Sequence, residues 1–258
     1  MKRRPLEKIG RVVLLLGVFA LGVACQRTGL LDDILYYTED ILYLSQQHLL
    51  LTLVSGGMAI LVGVPLGIWL SRPENRARSQ NWMQVLNIGG TVPTLALLAL
   101  SMSFLGIGAK PAVFGLFVAT LLPIVRNTWS GLMDVPPHLI EAAEGIGMSP
   151  MQVLLRVEVP NALFVIYAGI RTSLSINIGT VPLAFLIGGG GLGELIFTGI
   201  DLYEPGMMLA GAIPTALLAV LVDMFMTSVT YITVQILVNL NTDSGLLEHP
   251  RHLTYWRT

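Results

Sequence analysis

Charged residues and cysteine are scarce in this sequence. Only 12% of its 258 residues are charged, against about 25% in an ordinary soluble domain, so a single water-soluble domain is nearly excluded. The net charge is -1, from 15 Lys and Arg against 16 Asp and Glu, and the chain therefore lacks the basic surplus that binds nucleic acid. One cysteine, Cys25, allows neither an internal disulfide nor a thiolate metal cluster.

Motifs for catalysis, metal binding and ATP binding are also missing. The sequence shows no Ser-His-Asp or Cys-His set and no GxxxxGK[ST] phosphate loop. Its four histidines are dispersed without metal-ligand spacing, so each is expected in a polar loop or at the membrane edge. They are His48, His138, His249 and His252.

Long hydrophobic runs are abundant, since 53% of the residues are hydrophobic. A helix needs about 20 apolar residues to cross about 30 Å of hydrocarbon. The runs predict an all-α integral membrane protein with six transmembrane helices and little room for a soluble module. The predicted spans cover approximately residues 10–26, 48–71, 84–105, 111–126, 161–187 and 206–238.

The distribution of Lys and Arg predicts the orientation, because these residues stay on the cytoplasmic side of a span. With the N-terminus inside, twelve of the fifteen lie on inner segments, and only Arg27 and Lys110 lie outside. Both termini are therefore predicted to be cytoplasmic.

The first span and the segment after it each allow two interpretations. A basic start and an apolar run ending at Cys25 also suit a cleaved secretory signal, although Gly22 stands where lipoprotein processing usually has Leu. Residues 29–47 mix leucines with acidic residues. They predict either an amphipathic helix along the outer membrane surface or a plain solvated connector.

The longest polar interruption on the cytoplasmic side, residues 127–160, predicts two short helices joined by a glycine hinge. Asp134 or a neighbour can cap the first helix, and Pro136 and Pro137 suit its opening turn. Gly147 can take the left-handed conformation that ends this helix.

The second helix of this loop is predicted to begin at Ser149, with Pro150 at its first position and Gln152 placed to complete a capping box. Helix, hinge and helix together form an elbow. On the first helix, two alanines remove bulk so that a partner surface can approach, and two glutamates offer charge for pairing. These residues are Glu141, Ala142, Ala143 and Glu144.

The spacing Glu-Ala-Ala, three residues, Gly, nine residues, aliphatic, one residue, aliphatic, Pro resembles the coupling loop of bacterial ABC importer permeases. Val157 and Val159 stand where Ile and Leu are usual. The resemblance implies that the matching residues couple the chain to an ATPase. They are Glu141, Ala142, Ala143, Gly147 and Pro160.

Four further segments resemble the permeases of glycine betaine, carnitine and choline importers, which implies uptake of quaternary-amine osmoprotectants. They are residues 121–128, 168–173, 177–180 and 188–193. An ABC importer permease for another small solute is the nearest alternative.

The resemblance also implies an organisation for the chain. Residues 48–238 would form a five-helix type I importer core with the coupling loop at 127–160. An N-terminal helix and external connector would precede it over residues 1–47, and a cytoplasmic tail would follow over 239–258.

Location and partners follow from the same resemblance. It implies a bacterial inner membrane, with membrane lipid around the helices. The expected partners are two cytoplasmic ABC ATPase subunits, a second permease copy or sister permease, and an external substrate-binding protein. Because this chain has no phosphate loop, it would hold no cofactor, and the partner would use the ATP. Closure of the ATPases would then move residues 141–147 as a rigid lever.

Charges inside predicted spans are costly and usually face protein or water, so Arg171 and Asp223 need an explanation. A structural ion pair is favoured over a direct contact of Asp223 with a quaternary ammonium. Other polar residues of the fifth span either join helices by hydrogen bonds or line a pathway. They are Thr172, Ser173, Ser175, Asn177 and Thr180.

Glycines mark two more features. The run at 188–193 formally satisfies GxGxxG, but a dinucleotide site would need a strand before it. A turn or a gate near the external mouth is preferred, formed by Gly188, Gly189, Gly190, Gly191 and Gly193. Gly63 and Gly67 form a GxxxG pair that permits close contact between helices.

Two other classes of protein compete with the importer. An autonomous secondary transporter or channel should show inverted repeats, and no duplication in the sequence is convincing. A membrane enzyme would need a catalytic constellation, which is not visible.

Overall fold

The computed structural model describes residue 22 and residues 30–243, and this part of the chain is helical without any strand. The predicted all-α fold is confirmed. From residue 30 onward the α-helices are α1 Leu30–Tyr36, α2 Thr38–Ser71, α3 Arg76–Gly89, α4 Thr94–Leu105, α5 Ala109–Met133, α6 Pro137–Gly145, α7 Pro150–Val153, α8 Val159–Thr180, α9 Gly193–Asp201 and α10 Pro205–Asp243. Two 3₁₀ segments, Pro73–Asn75 and Val181–Ile187, and a π-helical segment, Leu154–Glu158, lie between them.

Four helical stretches are long and apolar enough to cross a membrane. They are Thr38–Ser71, Ala109–Met133, Pro150–Ile187 and Pro205–Thr233. Each corresponds to one of the predicted spans. The first predicted span, residues 10–26, lies outside the described residues except for Gly22.

The predicted third span, residues 84–105, is wrong as a single helix. The chain forms α3 and α4 instead, bent by 94° at the break between them. Pro93 explains the break, because it has no backbone N–H and its ring disfavours helical conformation at Val92. Counted as one broken span, this pair brings the described total to five, so six spans are not confirmed.

The segment predicted as a connector is helical. α1 covers residues 30–36, and α2 begins at Thr38, well before the predicted start at residue 48. A plain solvated connector is therefore wrong. With 34 residues, α2 is about 51 Å long and exceeds the hydrocarbon thickness of about 30 Å.

Close packing of α2 against α5 forms the centre of the bundle, and the GxxxG pair makes it possible. A Cβ added at Gly63 would lie 2.9 Å from the Ile124 side chain, and one at Gly67 would lie 2.6 Å from Thr128. Any side chain at these positions would push the two helices apart.

Two tertiary contacts define opposite ends of the bundle. At one end Arg72, directly after α2, pairs with Glu158, directly before α8. At the other end the Gly191 N–H donates a hydrogen bond of 3.1 Å to Gln47 Oε1. The elbow therefore lies at the Arg72 end, and the glycine run lies at the opposite end.

Candidate functional site

The first helix of the elbow ends as the sequence predicted. Gly147 follows α6 with a φ of +85°, a conformation that favours glycine. The Gly147 N–H donates to the Glu144 carbonyl at 2.9 Å, and the Met148 N–H donates to the Ala143 carbonyl at 3.1 Å. These two bonds are those of a Schellman motif. They fix the direction in which the chain leaves α6.

The starts of the two elbow helices agree with the sequence in part. Asp134 ends α5, and Pro136 stands at the N-cap of α6 instead. Ser149 is the N-cap of α7, as predicted. Its N–H donates to Gln152 Oε1 at 2.9 Å, the backward bond of a capping box.

The second elbow helix is not short, contrary to the prediction. α7 continues through the π-helical segment Leu154–Glu158 directly into α8. Pro160 accounts for the widened turn, because a proline removes one helical hydrogen bond and its ring crowds the carbonyl four residues earlier. The elbow therefore continues directly into a span.

One face of the elbow is exposed. Glu141, Ala142 and Glu144 point outward, whereas Ala143 is buried within the chain. The interpretation that both alanines face a partner is therefore wrong for Ala143, whose small side chain lets α6 pack closely on its own chain. Large apolar side chains are exposed beside the acidic ones, including Ile146 at 76%. The others are Met151 and Leu155.

An ion pair that the sequence analysis missed ties the elbow to α2. Arg72 Nη2 lies 2.6 Å from Glu158 Oε2, and both side chains are mostly buried. The Arg72 guanidinium also donates to Ser71 Oγ at 3.0 Å and to the Ile68 carbonyl at 3.3 Å. The sequence held one signal, an arginine directly after a span and a glutamate directly before the next one.

His48 is not at a polar edge, contrary to the prediction. It is fully buried in α2, where its Nε2 lies 2.9 Å from the Ile178 carbonyl of α8. Thr52 and Ser55 follow at helical spacing on the same buried face, and that spacing was the available signal. No group of three potential metal ligands occurs in the part of the chain that the structure describes.

The polar residues of α8 divide between two faces, so they do not all face one channel. Ser173 and Asn177 are buried, and Asn177 Nδ2 donates to Ser55 Oγ of α2 at 2.9 Å. Thr180 bonds locally to the Asn177 carbonyl at 2.9 Å. Thr172 is exposed on the other face. Asn177 therefore joins helices, as one of the two interpretations expected.

Arg171 and Asp223 form a bidentate ion pair between α8 and α10. The guanidinium donates from Nε to Oδ1 at 2.6 Å and from Nη2 to Oδ2 at 2.7 Å. Ser175 Oγ adds a longer bond to Oδ1 at 3.3 Å. The structure therefore supplies the partner that each intramembrane charge needs.

The glycine run forms a tight turn between the 3₁₀ segment and α9. Gly188, Gly190 and Gly191 all have positive φ, between 76° and 87°. Gly189 leaves no room for a side chain, because an added Cβ would lie 2.7 Å from the Ala112 Cβ. No strand precedes this turn among residues 30–187, so it is not the turn of a dinucleotide site.

Comparison with known proteins relates the chain to membrane transport. Residues 63–230 match the family described as "Binding-protein-dependent transport system inner membrane component". The osmoprotectant import permease protein OsmY of Salmonella typhimurium is 49% identical over 82% of this chain and 87% of its own length. The choline transport system permease protein OpuBB of Bacillus subtilis is 42% identical over 71% of this chain and 84% of its own.

A solved structure shares the fold. An inward-facing conformation of the MetNI methionine ABC transporter superposes with a TM-score of 0.68, covering 75% of this chain and 98% of that one. At 24% identity this likeness concerns the fold alone.

Proposed function

Because the chain belongs to the family of binding-protein-dependent transport system inner membrane components, we propose that it is the permease subunit of an ATP-driven importer of quaternary-amine osmoprotectants. The family is one of transporter permeases and not an enzyme family, and the chain is a multi-pass membrane protein. Glycine betaine, carnitine and choline are the proposed solutes. The names of its relatives, an osmoprotectant permease and a choline permease, support this class.

The exposed face of the elbow is the single observation that carries the proposal. Acidic Glu141 and Glu144 lie beside the exposed Ile146. Apolar side chains exposed outside the spans mark a surface that a partner covers. We assign this surface to a cytoplasmic ABC ATPase, which binds and hydrolyses ATP for a chain that lacks a phosphate loop.

Transmission from the elbow to the spans has a physical basis in two connections. α7 runs through the π-helical segment into α8, and the Arg72–Glu158 pair joins the start of α8 to the end of α2. When the ATPases close, the elbow moves as a rigid body and carries both spans with it. In this proposal four residues couple the chain to the ATPase, namely Glu141, Ala142, Gly147 and Pro160. Buried Ala143 allows α6 to pack closely against its own chain.

The orientation of the bundle in the membrane indicates where the remaining subunits bind. Four arginines lie toward the elbow end, which makes that end cytoplasmic by the positive-inside rule. They are Arg72, Arg78, Arg126 and Arg156. The glycine turn then lies on the outside, where it meets the substrate-binding protein and gates the pathway. A second permease copy or a sister permease completes the assembly, and both termini are cytoplasmic.

Co-purification in detergent tests this function. The chain is expressed with the neighbouring ATPase and binding-protein subunits, and ATP hydrolysis is measured with betaine, carnitine, choline and methionine. The proposal expects a stable complex whose hydrolysis rises with a quaternary amine and not with methionine. Stimulation by methionine alone would place the chain among importers of another solute, and a chain that recovers no ATPase would contradict the coupling role.

A further inference from the structure

The Arg171–Asp223 pair is only half covered by its own chain. The Arg171 side chain is 42% exposed and the Asp223 side chain is 37% exposed. Both residues lie near the middle of long apolar helical stretches. Charges at such a depth face protein or water rather than lipid, because exposure to hydrocarbon is costly.

The residues around the pair differ from those on the opposite face of α10. Three of the exposed residues within one helical turn of the pair, on the sides of α8 and α10 that carry it, are small or polar, which suits a water-filled passage or a close protein contact. They are Ala168, Thr172 and Thr227, and exposed Val220 is the apolar exception. Leu217, Leu221 and Phe225, on other sides of α10, are large, apolar and exposed, which suits lipid. Because intramembrane charges face protein or water, we assign the pair to a side of α8 and α10 that is turned away from lipid.

We propose that the Arg171–Asp223 pair is a transit binding site for zwitterionic quaternary amines, an inference that rests on the proposed function. A solute that carries both a carboxylate and a quaternary ammonium has the same two charges as the pair. Its carboxylate takes the place of Asp223 on the Arg171 guanidinium, with bidentate geometry. Its ammonium group then lies against the released Asp223 carboxylate.

An ion pair suits a solute passage because its two charges can pair either with each other or with a bound zwitterion. Without solute, each side chain neutralises the other, so no charge is left unpaired within the membrane. With a zwitterion bound, each charge again has a partner. Binding remains weak enough for release, because the solute must displace bonds of 2.6 and 2.7 Å that already exist.

The same arrangement discriminates between solutes. Betaine and carnitine carry both charges, whereas choline is a cation without a carboxylate. Choline can engage Asp223 but leaves Arg171 without an anion, and an unpaired charge within the membrane is unfavourable. The site therefore favours the zwitterions over choline.

The double variant R171Q/D223N tests the site in the complete importer, since it removes both charges and leaves none unpaired. We expect the complex to assemble while betaine uptake falls by about tenfold or more, the effect of losing about 1.4 kcal/mol of binding. The preference for betaine over choline should shrink as well. Betaine uptake within about twofold of the unsubstituted importer would overturn the site and leave a structural pair. If the unsubstituted importer moves no quaternary amine, the proposed function itself fails.

Thiol labelling provides a second test that does not depend on the double variant. With Cys25 replaced by Ala, T227C places a thiol one helical turn from Asp223, and L217C serves as the control on a different face of α10. The purified permease–ATPase complex, without binding protein, is treated with a trimethylammonium thiosulfonate reagent. We expect T227C to react, betaine to slow that reaction more than choline does, and L217C to be insensitive to both solutes. A T227C thiol that betaine does not protect would overturn the proposal.

Discussion

Gly147 offers a sharp test of the elbow, because a second glycine lies two residues away as a matched control. Gly147 has a φ of +85°, whereas Gly145, the last residue of α6, has an ordinary negative φ. Both residues lie in open space, with no atom within 4 Å of an added Cβ. G147A and G145A therefore add the same methyl group and differ only in backbone strain.

The two substitutions should have opposite effects on the elbow. A left-handed conformation costs a non-glycine residue about 1–2 kcal/mol, which G147A can relieve only by opening the Schellman turn. G145A instead replaces glycine with a better helix former, a gain of about 0.5–1 kcal/mol in a helix interior. A loss of one or two kcal/mol changes the ratio of correct to altered elbows by about 5–30-fold.

Uptake per ATP hydrolysed in the reconstituted importer measures this effect. We expect G147A to lower uptake per ATP hydrolysed while insertion into the membrane is retained, and G145A to behave as the unsubstituted chain. G147N should fall between them, because asparagine tolerates the left-handed conformation better than alanine. Equal coupling in G147A and G145A would refute the role of the left-handed turn.

Three further predictions concern the ion pair, the central packing and the exposed elbow. R72Q and E158Q should each lower the free energy of unfolding by about 1–3 kcal/mol, because each leaves one mostly buried charge unpaired. The double variant should lose less than the sum of the two single losses. Strictly additive losses would contradict the pair. G67V should cost about 1–3 kcal/mol through overpacking, measured by thermal unfolding in detergent. G57V, where an added Cβ meets nothing within 4 Å, is its control, and equal losses would argue against close packing at Gly67. E141Q should leave thermal stability unchanged and reduce solute-stimulated ATP hydrolysis, and an unchanged stimulation would remove Glu141 from the interface.

The helix ends of the elbow could be predicted from the sequence because they depend on local interactions. The left-handed glycine and the Ser-Pro-x-Gln start involve residues within a few positions of one another, so their geometry is set by neighbours in the chain. Spans were accessible for a related reason, since hydropathy integrates over many residues. The GxxxG contact of Gly63 and Gly67 was also recognisable, although the helix that it meets was not.

Features that depend on long-range placement were not accessible in the same way. Pro65 and Pro123 lie inside unbroken helices, whereas Pro93 stands at a 94° bend. A proline pattern alone cannot separate these cases, because neighbouring helices can compensate for the bond that a proline removes. The prediction for His48 was wrong because its burial depends on a distant contact, with the Ile178 carbonyl 130 positions away along the chain. The Arg72–Glu158 contact likewise depends on how α2 and α8 meet.

The central claim is that a separate ATPase drives this chain through the elbow. Solute accumulation in proteoliposomes tests it most directly, with the purified chain reconstituted either alone or with the ATPase and binding protein. Betaine is expected to accumulate only in the complete assembly and only with ATP. Accumulation by the chain alone, without ATPase or ATP, would contradict it.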